Sequence, residues 1–130
     1  MGRTRALEVN FTRRIKFLVA GDIPHDVEDF LFMTARRFGA VCARISGYDA
    51  WLQMLSSLEF VAVFVGVDAQ AADAPAILAR GREIAPGMPI VTIGGPANEH
   101  SDYHLDFSEI GTRLPGIVEK LATSTRAARA

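Results

Sequence analysis

The chain has 130 residues, a length that suits one domain. It is 49% hydrophobic, which argues against disorder throughout, and its net charge of −1, from 14 basic and 15 acidic residues, gives no whole-domain basis for binding nucleic acid. The single cysteine, Cys42, excludes an internal disulfide, and no apolar run approaches the ~18–20 residues that span a bilayer.

Met1–Thr12 is polar and is expected to be poorly ordered. Arg3, Arg5, Arg13, Arg14 and Lys16 crowd this end; a solvated terminus is the first reading and a weak phosphate-binding arm the second. The start lacks a signal-peptide apolar core, and alanine at position 6 breaks the myristoylation pattern, so a cytoplasmic protein is expected.

Ile15–Ala20 reads as the first strand, closed by a turn through Gly21, Asp22, Ile23, Pro24 and His25. Asp26 can cap the helix that follows, whose apolar stripe is Val27, Phe30, Leu31, Ala35 and Phe38. Gly39 is placed to end that helix in the left-handed conformation. Ala40–Ile45 is a short second strand containing Cys42, whose apolar setting predicts a buried thiol rather than a nucleophile. Tyr48–Leu58, with Trp51, Leu52, Leu55 and Leu58 on one face and Asp49 near its start, is a second helix.

Glu59–Asp68 organises the rest. Its nearly unbroken run of β-branched and aromatic residues suits a strand buried on both faces of a parallel sheet, with Phe60–Val65 as the strand itself. In an open α/β sheet, chemistry gathers at the carboxyl ends of the strands. Here that end carries Gly66, which has no side chain to accept a phosphoryl group, hold a metal or move a proton.

Past the loop Gln70–Ala72, Asp73 caps a third helix with Pro75 in its first turn and Ile77, Leu78, Gly81, Ile84 and Ala85 on its buried face, ending at Gly87. Pro89–Ile93 is the fourth strand and Tyr103–Phe107 the fifth. Leu114, Ile117, Val118 and Leu121 mark the last helix, with Pro115 expected in its first turn because an interior proline costs ~3 kcal/mol. The tail after it either frays or continues as helix. The domain is thus expected over 15–124, between a basic segment at 1–14 and a tail or linker at 125–130.

Alternating strands and helices predict an α/β, doubly wound, five-stranded parallel sheet in the flavodoxin-like order 2-1-3-4-5. One connection is anomalous. Only Gly94–Asp102 joins the last two strands, and a parallel crossover with its helix needs at least ~10–12 residues. The fourth crossover helix is therefore predicted to be missing or reduced, leaving one sheet face uncovered. Tyr103, Leu105 and Phe107 alternate with His104 and Asp106, as a strand with one exposed face would.

In this β/α order the segments Lys16–Pro24, Phe60–Gly66, Met88–Gly95 and Asp102–Phe107 resemble the four conserved stretches of a response-regulator receiver domain, over Lys16 to about Leu121. The resemblance implies an acidic pair, a phosphoacceptor, a switch hydroxyl and a lysine at the strand ends. This chain has Gly21 and Asp22 at the pair, Gly66 at the acceptor, Gly94 at the switch and Asp106 at the lysine. Mg²⁺-assisted phosphoryl transfer needs clustered carboxylates and a balancing cation, so the resemblance implies a pseudo-receiver that is not an enzyme.

Trp51, the Val-Phe-Val-Gly ending at Gly66, Ile93-Gly-Gly-Pro-Ala97 and the shortened fourth crossover are similar to the N-terminal domain of FleQ-type flagellar regulators. That family consists of sigma-54-dependent activators with a degenerate receiver, an ATPase module and a helix-turn-helix. Its ATP, cyclic-di-GMP and DNA sites would lie outside this chain, so no cofactor is expected here.

The residues themselves offer other chemistry. His100, Asp102, His104 and Asp106 would share one face of a strand and could bind Zn²⁺; a solvated sheet edge is the preferred reading. Asp22, Asp68 and Asp106 could form a residual Mg²⁺ site, against solvated turn carboxylates. His25 beside Asp22 could act as a base, but no nucleophile is visible nearby. Gly21, Gly94 and Gly95 could admit a phosphate, yet no Walker or dinucleotide pattern is present. Trp51 is expected to anchor a helix face rather than stack on a ligand.

The sequence therefore points to a non-catalytic regulatory module of a two-component type. It would form a homodimer through the uncovered sheet region or dock on linked ATPase and DNA-binding modules. The alternatives are a receiver phosphorylated on Asp22 or Asp68, and a stand-alone signalling adaptor.

Overall fold

The apolar runs become strands because each is flanked by turn residues, and the three central ones are almost wholly buried while the outer two are half-buried. The computed structural model describes residues 15–45, 48–55, 60–67 and 74–129. Five parallel strands, β1 (Ile15–Gly21), β2 (Ala40–Arg44), β3 (Phe60–Gly66), β4 (Ile90–Ile93) and β5 (Tyr103–Leu105), pair in the order β2-β1-β3-β4-β5. The helices are α1 (His25–Arg37), α2 (Tyr48–Met54), α3 (Ala74–Ile84) and α4 (Ile110–Arg129), the last entered through a 3₁₀ turn at Phe107–Glu109. The strand order is the expected one, and no helix lies between β4 and β5, also as expected.

Successive strand residues face opposite layers. Phe17, Val19, Phe64, Val91, Ile93 and Leu105 pack under α1 and α4, against Leu31, Ala35, Leu114 and Val118. The Phe17 and Phe64 rings lie 5.2 Å apart at 59°. On the other face Leu18, Ala20, Val63, Val65 and Ile90 meet Trp51 and Leu55 from the α2 segment and Ala74 and Leu78 from α3. Each fully buried side chain of this size contributes about 1.5–3 kcal/mol. Trp51 is wholly buried against α3, the anchoring role expected of it.

The face beside the missing helix is not open, contrary to expectation. All four residues of β4 are buried. Asp102 brackets Ile90: the Ile90 N–H donates to its Oδ2 at 2.7 Å, and the Asp102 N–H donates to the Ile90 carbonyl at 2.8 Å. Arg82, from the end of α3, donates to the same Oδ2 at 2.8 Å and to the carbonyls of His100, Met88 and Pro86. One guanidinium thus ties the short connection down where a helix would lie. Asp102→Ala is expected to cost about 1–3 kcal/mol in urea denaturation, and Asp102→Asn less, because the amide still accepts from Ile90. Equal losses would assign the effect to the Arg82 charge alone.

Several local expectations are corrected. Pro115 lies inside α4, beyond its first turn. Its missing N–H leaves the carbonyl of Gly111, an exposed residue, without that helical bond, while buried Leu114, Ile117 and Val118 on either side offset the cost. Phe107 does not extend β5; it opens the 3₁₀ turn and is 51% exposed. Asp26 is not the cap of α1: Pro24 holds that position without a side-chain hydrogen bond, and Asp26 sits in the first turn. Ile84 is exposed rather than buried, because α3 ends at that residue, short of Gly87. Cys42 is half-buried. Gly39 follows α1 at φ +78°, as expected. The expectations on Met1–Thr12, Gly47, Asp49, Leu58, Asp68, Gln70–Ala72 and Asp73 concern residues or side chains outside those described.

Candidate functional site

The carboxyl edge of the sheet brings together the positions singled out above. β1 and β3 end side by side, with Gly21 opposite Gly66. Gly21 has φ +81°, a conformation that side chains disfavour, and a Cβ there would strike the Gly66 carbonyl oxygen. At Gly66 a Cβ would collide with the Asp22 carbonyl oxygen and lie 2.5 Å from Ile23 Cγ1. The two strand ends therefore touch through bare backbone. No room for a side chain remains at Gly66, which the resemblance aligns with a phosphoacceptor.

The neighbouring strand is closed in the same way. Gly94 (φ +77°) would place a Cβ 2.7 Å from Cζ of Phe107, and Gly95 would place one 2.8 Å from Cγ1 of Val67. The Phe107 ring lies over the Gly94 backbone, which the resemblance aligns with a switch hydroxyl. The Gly94 N–H donates to the Leu105 carbonyl at 2.9 Å and the Val67 N–H to the Ile93 carbonyl at 2.9 Å, which extends the ladder past the strand ends.

Charge at this edge is carried by other residues. Asp22 is exposed, and His25 is the exposed first residue of α1. Arg44, at the end of β2, donates to the Gly21 carbonyl at 2.6 Å and pairs with Glu28 at 3.2 Å. A surface guanidinium, not foreseen from sequence, thus braces the β1 turn.

Asp106 stands at the start of the last helical segment rather than reaching into the crevice. Its N–H donates to Glu109 Oε1 at 3.0 Å, and the Glu109 N–H donates back to its carbonyl at 2.9 Å. The Asp106 N–H, then Arg113 at 2.9 Å, hold the Glu109 carboxyl below the usual range. That contribution is present above the ordinary carboxylate pKa and fades as pH falls through the lowered one.

The His-x-Asp-x-His-x-Asp series does not share one face. His100 pairs with Glu99 and Asp102 with Arg82. His104 Nδ1 lies 2.8 Å from Thr92 Oγ1, and its Nε2 lies 3.3 Å from Asp106 Oδ1. Only His104 of the series is in β5. Among the described residues no group of three or more His, Cys, Asp or Glu converges as a metal site. Thr92 is completely buried, so its hydroxyl serves the sheet and is not presented to a substrate.

Burial, and then the Glu28 carboxylate, push the Cys42 thiol from its ordinary 9.0 up to about 12. Alkylation by iodoacetamide between pH 7 and 9 is expected to stay far slower than for a free thiol, rising only as pH approaches that value. The stability linked to this group is complete below the unfolded pKa and is lost as pH rises through the folded one. A free-thiol rate profile would contradict this placement.

No protein-family model and no curated protein matches the chain. Solved structures do. A response-regulator receiver domain of Methanospirillum hungatei superposes with TM-score 0.64 at 15% identity, covering 87% of this chain and 98% of its own. The fold is that of a receiver domain. A response regulator of Burkholderia pseudomallei carrying a phosphorylated aspartate matches with TM-score 0.61 at 18% identity, over 89% of this chain and 73% of that one. A chain from Burkholderia thailandensis named for pilus assembly matches with TM-score 0.64 at 16% identity, over 84% and 98%. At these identities the likeness is one of fold. No helix among the described residues is long and apolar enough to cross a membrane.

Proposed function

We propose that this receiver-like chain is a non-catalytic, phosphorylation-independent regulatory module. It acts in the cytoplasm by self-association or by docking on linked modules, in a sigma-54-dependent regulator of the flagellar type. The observation that carries the reading is that the Asp22 backbone stands where a Cβ at Gly66 would have to be, which leaves no place for a phosphoacceptor side chain. The Trp51 helix, the glycine-ended third and fourth strands and the helix-free connection at 94–102 support the flagellar context.

The test is incubation with a small phosphodonor and Mg²⁺, read by intact mass. No phosphoryl adduct is expected. A gain abolished by Asp22→Asn would establish the second reading, a receiver that still takes phosphate; exposed Asp22 favours that reading, and Asp68 lies outside the described residues. A third reading, an adaptor outside transcription, is favoured by the structural likeness to a chain named for pilus assembly.

A further inference from the structure

α1 carries its exposed charges in two blocks. Asp26 and Asp29 lie toward its start, and Arg36 and Arg37 in its last turn. Between them stand half-buried Phe30 and Met33, which at 58% is the most exposed large apolar residue among those described. Val27, Leu31, Thr34 and Ala35 form the buried face of the same helix. Asp26, Phe30, Met33 and Arg37 recur at steps of four, three and four residues, which gathers them into one ridge along a flank of the helix, where Phe30 has one side against the core. No ion pair among the described residues engages Asp26, Asp29, Arg36 or Arg37. The helix dipole accounts for acid at the start and base at the end. It does not account for the methionine between them.

We infer that this ridge is a self-docking surface on which two copies of the chain pair antiparallel along α1 about a twofold axis. The axis that sets Phe30 against Met33 also sets Asp26 against Arg37, and it does so twice by symmetry. An isologous contact requires this self-complementarity. A single helix pair buries less than the ~1,200 Å² of a stable interface, so the contact is weak. It gains effect where linked modules raise the local concentration. The inference rests on the self-association reading and gives it a surface.

Sedimentation of the chain at low salt, at concentrations on the order of 0.1–1 mM, provides the test. Wild type is expected to show a monomer–dimer equilibrium. Met33→Glu is expected to abolish it with the circular dichroism unchanged, since Met33 is outside the core. Asp26→Lys and Arg37→Glu should each weaken pairing about tenfold, because two attractions become two repulsions. An equimolar mixture of those two variants should pair again, because every contact across the axis is then between opposite charges. If wild type dimerises and all three variants match it, the dimer forms elsewhere; the α1 surface is refuted and the self-association reading stands. If wild type stays monomeric, both fall and only docking on a linked module is left.

Discussion

Placing an aspartate at position 66 is expected to cripple the fold rather than restore a phosphorylatable receiver. The Cβ of any residue there meets the Asp22 carbonyl oxygen and carbon, the latter at 2.6 Å, and these are backbone atoms. A flexible side chain could swing away; the β1 turn cannot move without breaking its pairing to β3 through Gly21 and Gly66. Gly66→Ala already forces that movement, and overpacking of this kind costs typically about 1–3 kcal/mol. Gly66→Asp adds a carboxylate at a buried position and is expected to lose about 3 kcal/mol or more. The denaturation midpoint measures the loss, and intact mass after treatment with a phosphodonor and Mg²⁺ should show no adduct in the variant. A folded Gly66→Asp chain of wild-type stability that gained one phosphoryl group would mean the crevice can open. That result would sink the closed-edge reading.

Much of the scaffold could be read from the chain, because the signals involved are local. Phe60–Val65 announces a central strand by its own composition, and the nine-residue connection Gly94–Asp102 is too short for a helix by reach alone. The errors fall where two local signals compete or where the partner is distant. Tyr103, Leu105 and Phe107 keep a period of two, but Asp106 and Glu109 stand three apart, a helix-start spacing that wins and turns Phe107 outward over Gly94. Pro115 reads as a first-turn residue only while its own cost is counted; the burial of Leu114, Ile117 and Val118 on either side decides otherwise. The Arg82–Asp102 tie joins residues twenty apart, and no periodicity reports it. At the site, the sequence shows which side chains are missing. It does not show that backbone has moved in to occupy their place, and this contact separates a closed edge from an empty one.

The same logic makes opposite predictions for two helical glycines, and this contrast is the sharpest test of the packing. Gly81 is in α3 and Gly116 in α4, and in an exposed helix interior alanine is better than glycine by about 1 kcal/mol. At Gly116 nothing lies within 4 Å of an added Cβ, so Gly116→Ala is expected to stabilise by about 0.5–1 kcal/mol. At Gly81 the added Cβ would run into Cη2 of the Trp51 indole and lie 2.9 Å from its Cζ3. The indole is wholly buried on the α2–α3 side of the sheet and cannot rotate into solvent without emptying that core. Gly81→Ala is therefore expected to destabilise by about 1–3 kcal/mol despite its better helix propensity, and Gly81→Leu by more. Trp51 is the sole tryptophan, so its fluorescence reports the displacement directly, as a red shift on partial exposure. Its Nε1 finds no hydrogen-bond partner among the described residues, and replacing the indole by the smaller ring of phenylalanine removes the collision. The double variant Gly81→Ala with Trp51→Phe should recover part of the loss, a non-additivity of about 1 kcal/mol that distant sites do not show. Strict additivity, or a Gly81→Ala chain more stable than wild type, would show that the indole does not rest on Gly81.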